Sequence, residues 1–256
     1  MYNFIRKHGG RIAAGLAFLA GAAALPAQVT EVPQTVAPGH FLLKMNLLSL
    51  TTNQSGGSDF RALGVGTTLV TTGLTANLDV QLGAEAFISQ RIESGSFTDR
   101  RTGIGDLYGR VKWKFFDEAG TAVALLPYVK IPTNTGGVGN NAVEGGVIVP
   151  WSTHLPTGFE VAAQAEMDFR RNPAHNGYDT FLSASAFAKQ HLIGGLGFYG
   201  EATVGKSTGG QPFVSTLGVG ATFSVTSKLW WDCAIYKGVS QGAADWNRVL
   251  RFNFSF

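Results

Sequence analysis

The chain has 256 residues, with 20 Lys and Arg against 17 Asp and Glu, 34 Gly and a single Cys. Hydrophobic residues make up 45% and charged residues only 14%, which excludes an intrinsically disordered chain, and one Cys excludes a disulfide scaffold. The mean hydropathy of +0.10 hints at a membrane, although a helical membrane protein needs about 18 or more consecutive apolar residues.

The N-terminal segment, residues 1–28, is predicted to be a secretory signal peptide. Its early basic residues are Arg6, Lys7 and Arg11. They precede an unbroken apolar run at 12–25, and small residues such as Ala27 follow. This order matches an export signal with an apolar stretch of about 7–15 residues and a small-residue cleavage site. A buried N-terminal helix is the alternative.

Removal of this signal leaves 17 basic and 17 acidic residues in the mature chain. The basic excess therefore belongs to the export signal, and nucleic-acid binding loses its compositional support. Residues 29–39 contain Pro33 and Pro38 and are predicted to form a loose leader. Residues 40–256 are predicted to form the folded domain.

Apolar and polar residues alternate along most of the remaining chain. Between 158 and 170, for example, Val161, Ala163 and Ala165 alternate with Gln164 and Glu166. A period of two predicts β-strands, because a helix would scatter the same residues around its axis. Twelve such segments are predicted near 40–50, 60–71, 76–91, 104–117, 120–131, 143–153, 158–170, 178–190, 195–205, 213–226, 229–238 and 246–256. Most are long enough for a tilted membrane strand of about 9–11 residues.

The connections alternate between two kinds. Long loops rich in Gly, Asn, Ser and Asp are predicted near 51–59, 92–103, 132–142, 171–177, 206–212 and 239–245. Short turns are predicted near 72–75, 117–120, 155–158, 191–194 and 226–228. Short periplasmic turns and longer extracellular loops are typical of outer-membrane barrels. The predicted fold class is therefore all-β, a transmembrane antiparallel up-and-down β-barrel of twelve strands with both termini on the short-turn side.

A soluble sandwich or lipocalin-like barrel is the alternative fold. Small apolar faces, such as those of Ala84 and Ala86, suit lipid contact better than a packed core. Charges in mid-strand, such as Arg110 and Asp168, suit a polar lumen. Aromatic residues also cluster near the predicted strand ends, as in the girdles of membrane barrels.

The C-terminal segment is the most specific signal. Leu250, Phe252, Phe254 and Phe256 alternate with polar residues up to the last position. A final strand that ends in Phe resembles the signal by which bacterial outer-membrane proteins are recognised for assembly. The predicted partners are therefore the barrel-assembly machinery and outer-membrane lipid, including lipopolysaccharide, and the predicted location is the bacterial outer membrane.

Candidate catalytic motifs are weak. Residues 200–207 read GEATVGKS, which fits the P-loop string, but its middle is strand-like and the following Gly and Pro residues do not begin a helix. None of the histidines has a membrane-facing Ser in register, so a membrane-embedded hydrolase is the least favoured alternative. No enzymatic activity, catalytic residue, metal or cofactor is predicted.

Charged residues on the polar faces of the strands are the remaining functional feature. They predict either a conduit whose charges set selectivity or a barrel closed by internal ion pairs, in which case the surface loops make the contacts. The candidate lumen-lining residues are Lys44, Arg61, Asp79, Glu85, Arg110, Lys112, Lys114, Lys130, Glu144, Glu160, Glu166, Asp168, Glu201, Asp232 and Arg251.

Two segments resemble a known family. They read TGIGDLYGRVKWKFF at 102–116 and LLPYVKIPT at 125–133, and 143–150 and the terminal aromatic strand are compatible with the same pattern. The resemblance is to the outer-membrane transporter family named for the meta-pathway of phenol degradation. It implies a twelve-stranded barrel and, loosely, uptake of small hydrophobic or aromatic compounds. The family supplies no catalytic residues, and Gly105 and Asp106 are interpreted as structural.

Overall fold

A computed structural model describes residues 29–256 as one antiparallel sheet of thirteen segments, with the leader at its start. The predicted signal peptide lies outside the described residues. In chain order the strands are β1 (Phe41–Ser55), β2 (Ser58–Thr75), β3 (Leu78–Ser94), β4 (Phe97–Gly103), β5 (Leu107–Glu118), β6 (Thr121–Ile131), β7 (Glu144–His154), β8 (Phe159–Arg171), β9 (Tyr178–His191), β10 (Leu196–Ser207), β11 (Val214–Ser224), β12 (Leu229–Gly238) and β13 (Trp246–Ser255). A 3-10 turn, Ile193–Gly195, lies between β9 and β10.

The sheet closes on itself. β1 pairs with β13 on one side and with β2 on the other, and the remaining strands follow in chain order round to β3. β4 and β5 both pair with β3, β4 along 88–94 and β5 along 78–84. They are therefore two parts of a single wall strand, interrupted at 104–106. The structure confirms the predicted closed barrel of twelve antiparallel strands.

Two of the six predicted long loops are absent among the described residues. β1 and β2 are joined by Gly56 and Gly57 alone, and β3 and β4 by Gly95 and Ser96. Gly56 and Gly57 both have positive φ, as a two-residue hairpin turn requires. The polar residues that predicted loops at 51–59 and 92–103 belong instead to long strand ends, since β1 has 15 residues, β2 has 18 and β3 has 17.

The two faces of the wall differ as expected for a membrane barrel. Large apolar side chains are exposed on the outside, while charged and amide side chains are buried inside. Along β3, for example, Leu82 is exposed between buried Gln81 and buried Gly83. A soluble protein buries its apolar face, so this inversion indicates that the outer face contacts lipid. Within the described part of the chain, no helix is long and apolar enough to cross a membrane.

Candidate functional site

Fourteen of the fifteen candidate lumen-lining residues lie on the inner side of the wall. The buried ones are Asp79, Glu85, Arg110, Lys112, Lys130, Asp168 and Arg251. The partly buried ones are Lys44, Lys114, Glu160 and Glu166. Glu144, Glu201 and Asp232 are buried as well.

Arg61 is the exception, because it lies on the outer face near the loop end of the barrel. Its neighbour Phe60 is buried and packs inward beside Ile92 and Ala244, so Arg61 points the other way. The pairing of β2 with β1 and with β3 is interrupted at Gly66, which has a φ of 71°, while the register is the same before and after it. The inward positions change there from even numbers, such as Phe60, to odd numbers, such as Thr67 and Leu69. Simple alternation along β2 therefore assigned Arg61 to the wrong side.

The leader runs inside the barrel. The main-chain N–H groups of Val29 and Thr30 donate to the Glu201 carboxylate at 3.0 and 2.6 Å. The N–H of Glu31 donates to the side chain of Gln164 at 2.6 Å. The sequence suggested a loose leader, but its extended backbone finds acceptors on the lumen wall. Pro33 is fully buried, which is tolerated because Pro has no N–H to satisfy.

Further contacts fix the leader near the short-turn end. The Gln34 side chain donates to Ser152 at 3.0 Å, and the Val36 N–H donates to Asp79 at 3.3 Å. Gly73 on β2 makes the close approach possible, since a Cβ at this position would lie 2.0 Å from the Val36 carbonyl oxygen. The leader thus enters the lumen from the end that carries the termini, which is the periplasmic end in barrels of this type.

Glu31 is the charged centre of the leader. Its Oε1 accepts from Arg110 Nη1 at 2.8 Å, and its Oε2 lies 4.0 Å from Lys44 Nζ. Lys112 donates to the main-chain carbonyl of Gln34 at 3.2 Å. Its positive charge also stabilises the ionised form of the Glu31 carboxyl group. One leader carboxylate therefore faces three cations supplied by β1 and β5.

A second charged cluster surrounds the interruption at 104–106. Lys130 lies 3.1 Å from Asp106 and 2.8 Å from Glu144. Asp106 also accepts from the main-chain N–H and the side chain of Asn134, at 3.1 and 2.7 Å. Glu85 accepts the Asp106 N–H at 2.9 Å. This cluster connects β3, the broken wall strand, β6, β7 and the loop after β6.

Two further buried carboxylates of the inner face also have specific partners. Asp168 accepts from Arg170 at 2.5 Å and from the Tyr128 hydroxyl at 2.7 Å. Asp232 accepts from the Tyr199 hydroxyl at 2.9 Å and lies 3.8 Å from Arg251. The two tyrosine contacts reach across one intervening strand, from β6 to β8 and from β10 to β12, and the Arg251 contact joins the neighbouring strands β12 and β13.

A cavity of about 250 Å³ lies in the lumen beyond the leader, towards the loop end. Val29 and Glu31 of the leader form part of its lining. Its aromatic lining residues are Tyr108, Tyr128, Phe181 and Tyr236, and its charged lining residues include Arg110, Glu166 and Arg170. The Arg170 guanidinium lies 4.0 Å from the centre of the Phe181 ring, and that of Arg110 lies 5.8 Å from the Tyr128 ring. The cavity therefore combines aromatic surface with charges of both signs.

The P-loop string at 200–207 lies within β10. Its main chain pairs with β9 and β11, so its N–H groups are used by the sheet and do not form a phosphate-binding loop. Among residues 29–256, no group of three or more His, Cys, Asp or Glu side chains is arranged to hold a metal ion.

Sequence analysis missed three residues that the structure places in this site. Glu31 was missed because nothing in the leader sequence shows that it enters the barrel. Asp106 was treated as a turn residue, although its place in the 102–116 segment was noted. Arg170 was passed over, although it falls on the same parity as Glu166 and Asp168 on β8, a signal that would have found it.

Comparisons with known proteins agree with this architecture. Residues 27–256 match the family described as "Putative MetA-pathway of phenol degradation". The chain is similar to the COG4313 outer membrane channel of Pseudomonas putida F1, with 13% identity, a TM-score of 0.66 and coverage of 88% of this chain and 98% of that one.

Two further solved structures share the fold. The transport unit of the autotransporter AIDA-I from Escherichia coli has 12% identity, a TM-score of 0.57 and coverage of 96% of this chain and 98% of that one. The NanC porin has 11% identity, a TM-score of 0.51 and coverage of 82% of this chain and 98% of that one. No curated protein matches the chain in sequence. The fold is that of outer-membrane barrels.

Proposed function

Because the chain belongs to the family described as "Putative MetA-pathway of phenol degradation", we propose that it is an outer-membrane channel that admits small molecules, with a preference for compounds that carry an aromatic ring. The observation that carries this proposal is the lumen cavity of about 250 Å³, which combines aromatic rings with charged groups inside a closed barrel. The COG4313 and NanC barrels, which share the fold, are named as a channel and a porin. The proposal includes no enzymatic reaction.

The mixed lining of the cavity supports the substrate class. Ligand sites are mostly apolar, with a few placed polar groups that fix orientation. Tyr108, Tyr128 and Phe181 offer ring faces and edges, while Arg110 and Arg170 stand against two of these rings. A planar solute with one polar substituent matches this arrangement better than a sugar does. A sugar carries hydroxyl groups on all sides, and each of them would need a hydrogen-bond partner in the lining.

Conductance of the purified mature chain in a planar lipid bilayer tests the channel. We expect a small, steady ion current, because the leader narrows the lumen. Glu166 lines the cavity, where its carboxylate accepts from the Gln164 side chain at 3.3 Å, so Glu166→Gln should shift the reversal potential, measured in a salt gradient at alkaline pH, towards anion selectivity. Glu93→Gln, on the outer face, is the matched control. An unchanged reversal potential for Glu166→Gln would remove this residue from the conduction path.

A closed barrel is the second candidate function, and the leader is the observation that favours it. Residues 29–36 occupy the lower lumen with main-chain and side-chain hydrogen bonds. In that case the loops at 132–143, 172–177, 208–213 and 239–245 would supply the contacts of a surface or structural protein. Absence of current from the mature chain at every voltage and with every solute would favour this candidate over the channel.

The proposal also covers how the protein reaches the membrane. Residues 1–28 direct export and are removed, and the barrel-assembly machinery recognises β13 with its terminal Phe256. Exposed apolar side chains on the outer face support contact with outer-membrane lipid, with lipopolysaccharide in the outer leaflet. Mass measurement of the protein isolated from outer membranes tests the cleavage, since a chain that retains residues 1–28 would contradict it.

A further inference from the structure

We propose that the lumen contains a binding site for the carboxylate of a small aromatic solute, and that Glu31 of the leader occupies this site in the structure. This inference deepens the proposed channel function and rests on it for its physiological meaning. The site consists of Arg110, Lys44 and Lys112, and the Glu31 side chain is its internal ligand.

The geometry around Glu31 is that of a bound carboxylate. One oxygen accepts from Arg110 at 2.8 Å, the other lies 4.0 Å from Lys44, and both partners belong to the barrel wall. Charge-assisted contacts between a carboxylate and arginine are among the strong hydrogen bonds of proteins. Glu31 is the only acidic residue of the leader. The leader, which is not part of the barrel wall, therefore presents this carboxylate to the wall.

The wall cations depend on an anion at this place. Within residues 29–256, Glu31 is the salt-bridge partner of both Arg110 and Lys44, and neither cation has another within 4.0 Å. The Arg110 side chain is buried, and its Nε has no hydrogen-bond partner. Buried donors are normally satisfied, and an uncompensated buried charge is strongly destabilising. The cluster therefore retains binding capacity that one leader carboxylate does not exhaust.

The surroundings of the cation site favour a carboxylate ligand that carries an aromatic ring. Glu31 and Arg110 both line the cavity, so the cation site opens into it. Tyr108 and Tyr128 lie in the same lining, and the Arg110 guanidinium stands 5.8 Å from the centre of the Tyr128 ring. The volume of about 250 Å³ is near the lower end of ligand pockets of about 300–1,000 Å³. A benzoate-like molecule can place its carboxylate on Arg110 and its ring against the tyrosines.

The role of Glu31 as a tethered competitor yields a quantitative test. A group held beside its site by a short strap competes at an effective concentration in the millimolar range, so Glu31→Gln should tighten benzoate binding on the order of tenfold. Binding is measured by titration of the detergent-solubilised mature chain with sodium benzoate, and block of the bilayer current is measured in parallel. Gln34→Ala, which alters the leader but keeps Glu31, is the matched control and should leave the affinity unchanged. Arg110→Ala added to Glu31→Gln should abolish the gain.

The outcomes separate this inference from the channel proposal. Tighter benzoate binding by Glu31→Gln supports the site even if no current flows, whereas equal affinity for the wild type and Glu31→Gln overturns it even if current is normal. Tightening by Gln34→Ala to the same degree would also overturn it, because the effect would then come from a loosened leader. If Glu31→Gln does not fold, Glu31→Asp serves instead, since the shorter side chain withdraws the competitor and should give a smaller gain of the same sign.

Discussion

Lys130 and Asp106 form a buried ion pair, 3.1 Å long, at the point where the wall strand made of β4 and β5 is interrupted. The two residues come from the two segments that resemble the family pattern, 102–116 and 125–133. Asp106 also holds Asn134 of the following loop, and the Thr135 N–H donates to the carbonyl of Ile104. The interruption is therefore bridged by the Lys130–Asp106 ion pair, called the clasp below, and by the loop after β6.

Asp106→Asn should destabilise the barrel by about 1–3 kcal/mol, because Lys130 and Asn134 both lose a charged hydrogen-bond acceptor, while Glu144 still pairs with Lys130. Asp117→Asn is the matched control, since Asp117 pairs with Lys114 in an exposed position and such pairs contribute about 0–1 kcal/mol. Urea unfolding in detergent micelles measures both. Equal losses for the two variants would show that the clasp has no special role.

Gly105→Ala should also destabilise the fold. An added Cβ would lie 2.1 Å from Glu85 Oε2 and 2.5 Å from its Cβ, so Glu85 would be pushed from its bond to the Asp106 N–H. Overpacking of this kind costs about 1–3 kcal/mol. At Gly109, in the same wall strand, the nearest atom would be 3.7 Å away, and Gly109→Ala should be tolerated. A loss for Gly109→Ala as large as that for Gly105→Ala would contradict the steric account.

Leu82→Arg tests which surface meets lipid. Leu82 is 71% exposed in the middle of the wall, and a cation at the bilayer midplane costs about 2–4 kcal/mol. Ile193 is 98% exposed but lies in a short turn, so Ile193→Arg should change stability by less than about 1 kcal/mol. Unfolding from lipid vesicles measures the difference. If both substitutions are neutral, the outer face does not contact lipid.

Phe256→Ala should separate assembly from stability. The Phe256 ring stacks on Phe41 with 5.4 Å between centroids and on Phe254 with 5.5 Å, and loss of an aromatic pair costs about 0.5–1.5 kcal/mol. Refolding of the purified chain into detergent should therefore continue. Assembly in cells should fall, because the terminal Phe is proposed as the recognition signal. Phe97→Ala, at an exposed strand start, is the control, and normal assembly of Phe256→Ala would refute this role.

The barrel could be predicted from the sequence because apolar residues that face lipid alternate with polar residues that face the lumen along each wall strand. Arg110, Glu166 and Arg251 could all be assigned to one face by parity alone. Parity fails where the inward face changes from even to odd positions within one strand, as it does at Gly66, and Arg61 was misassigned for that reason. Parity also cannot distinguish a polar segment that continues a strand above the membrane from one that forms a loop. This explains the wrong loop predictions at 51–59 and 92–103.

The leader could not be placed from its own sequence. Many of its contacts are made with side chains far along the chain, such as Asp79 at 43 positions from Val36 and Glu201 at 171 positions from Thr30, and no local pattern encodes such pairings. Glu31 illustrates the limit. Its neighbours in sequence suggest an exposed carboxylate, whereas its neighbours in space are three cations of the wall.

The pairing of β1 with β13 constrains the order of the steps by which the barrel folds. Phe41 and Phe256 exchange two main-chain hydrogen bonds, at 2.8 and 3.0 Å, so the barrel cannot close until β13 is available to pair with β1. The leader is joined to Phe41 through His40 alone. Either the ring therefore shuts around a leader that is already in place, or the leader threads in afterwards through the periplasmic mouth. The first route makes the leader a folding template, and the second leaves it free to withdraw during the life of the protein.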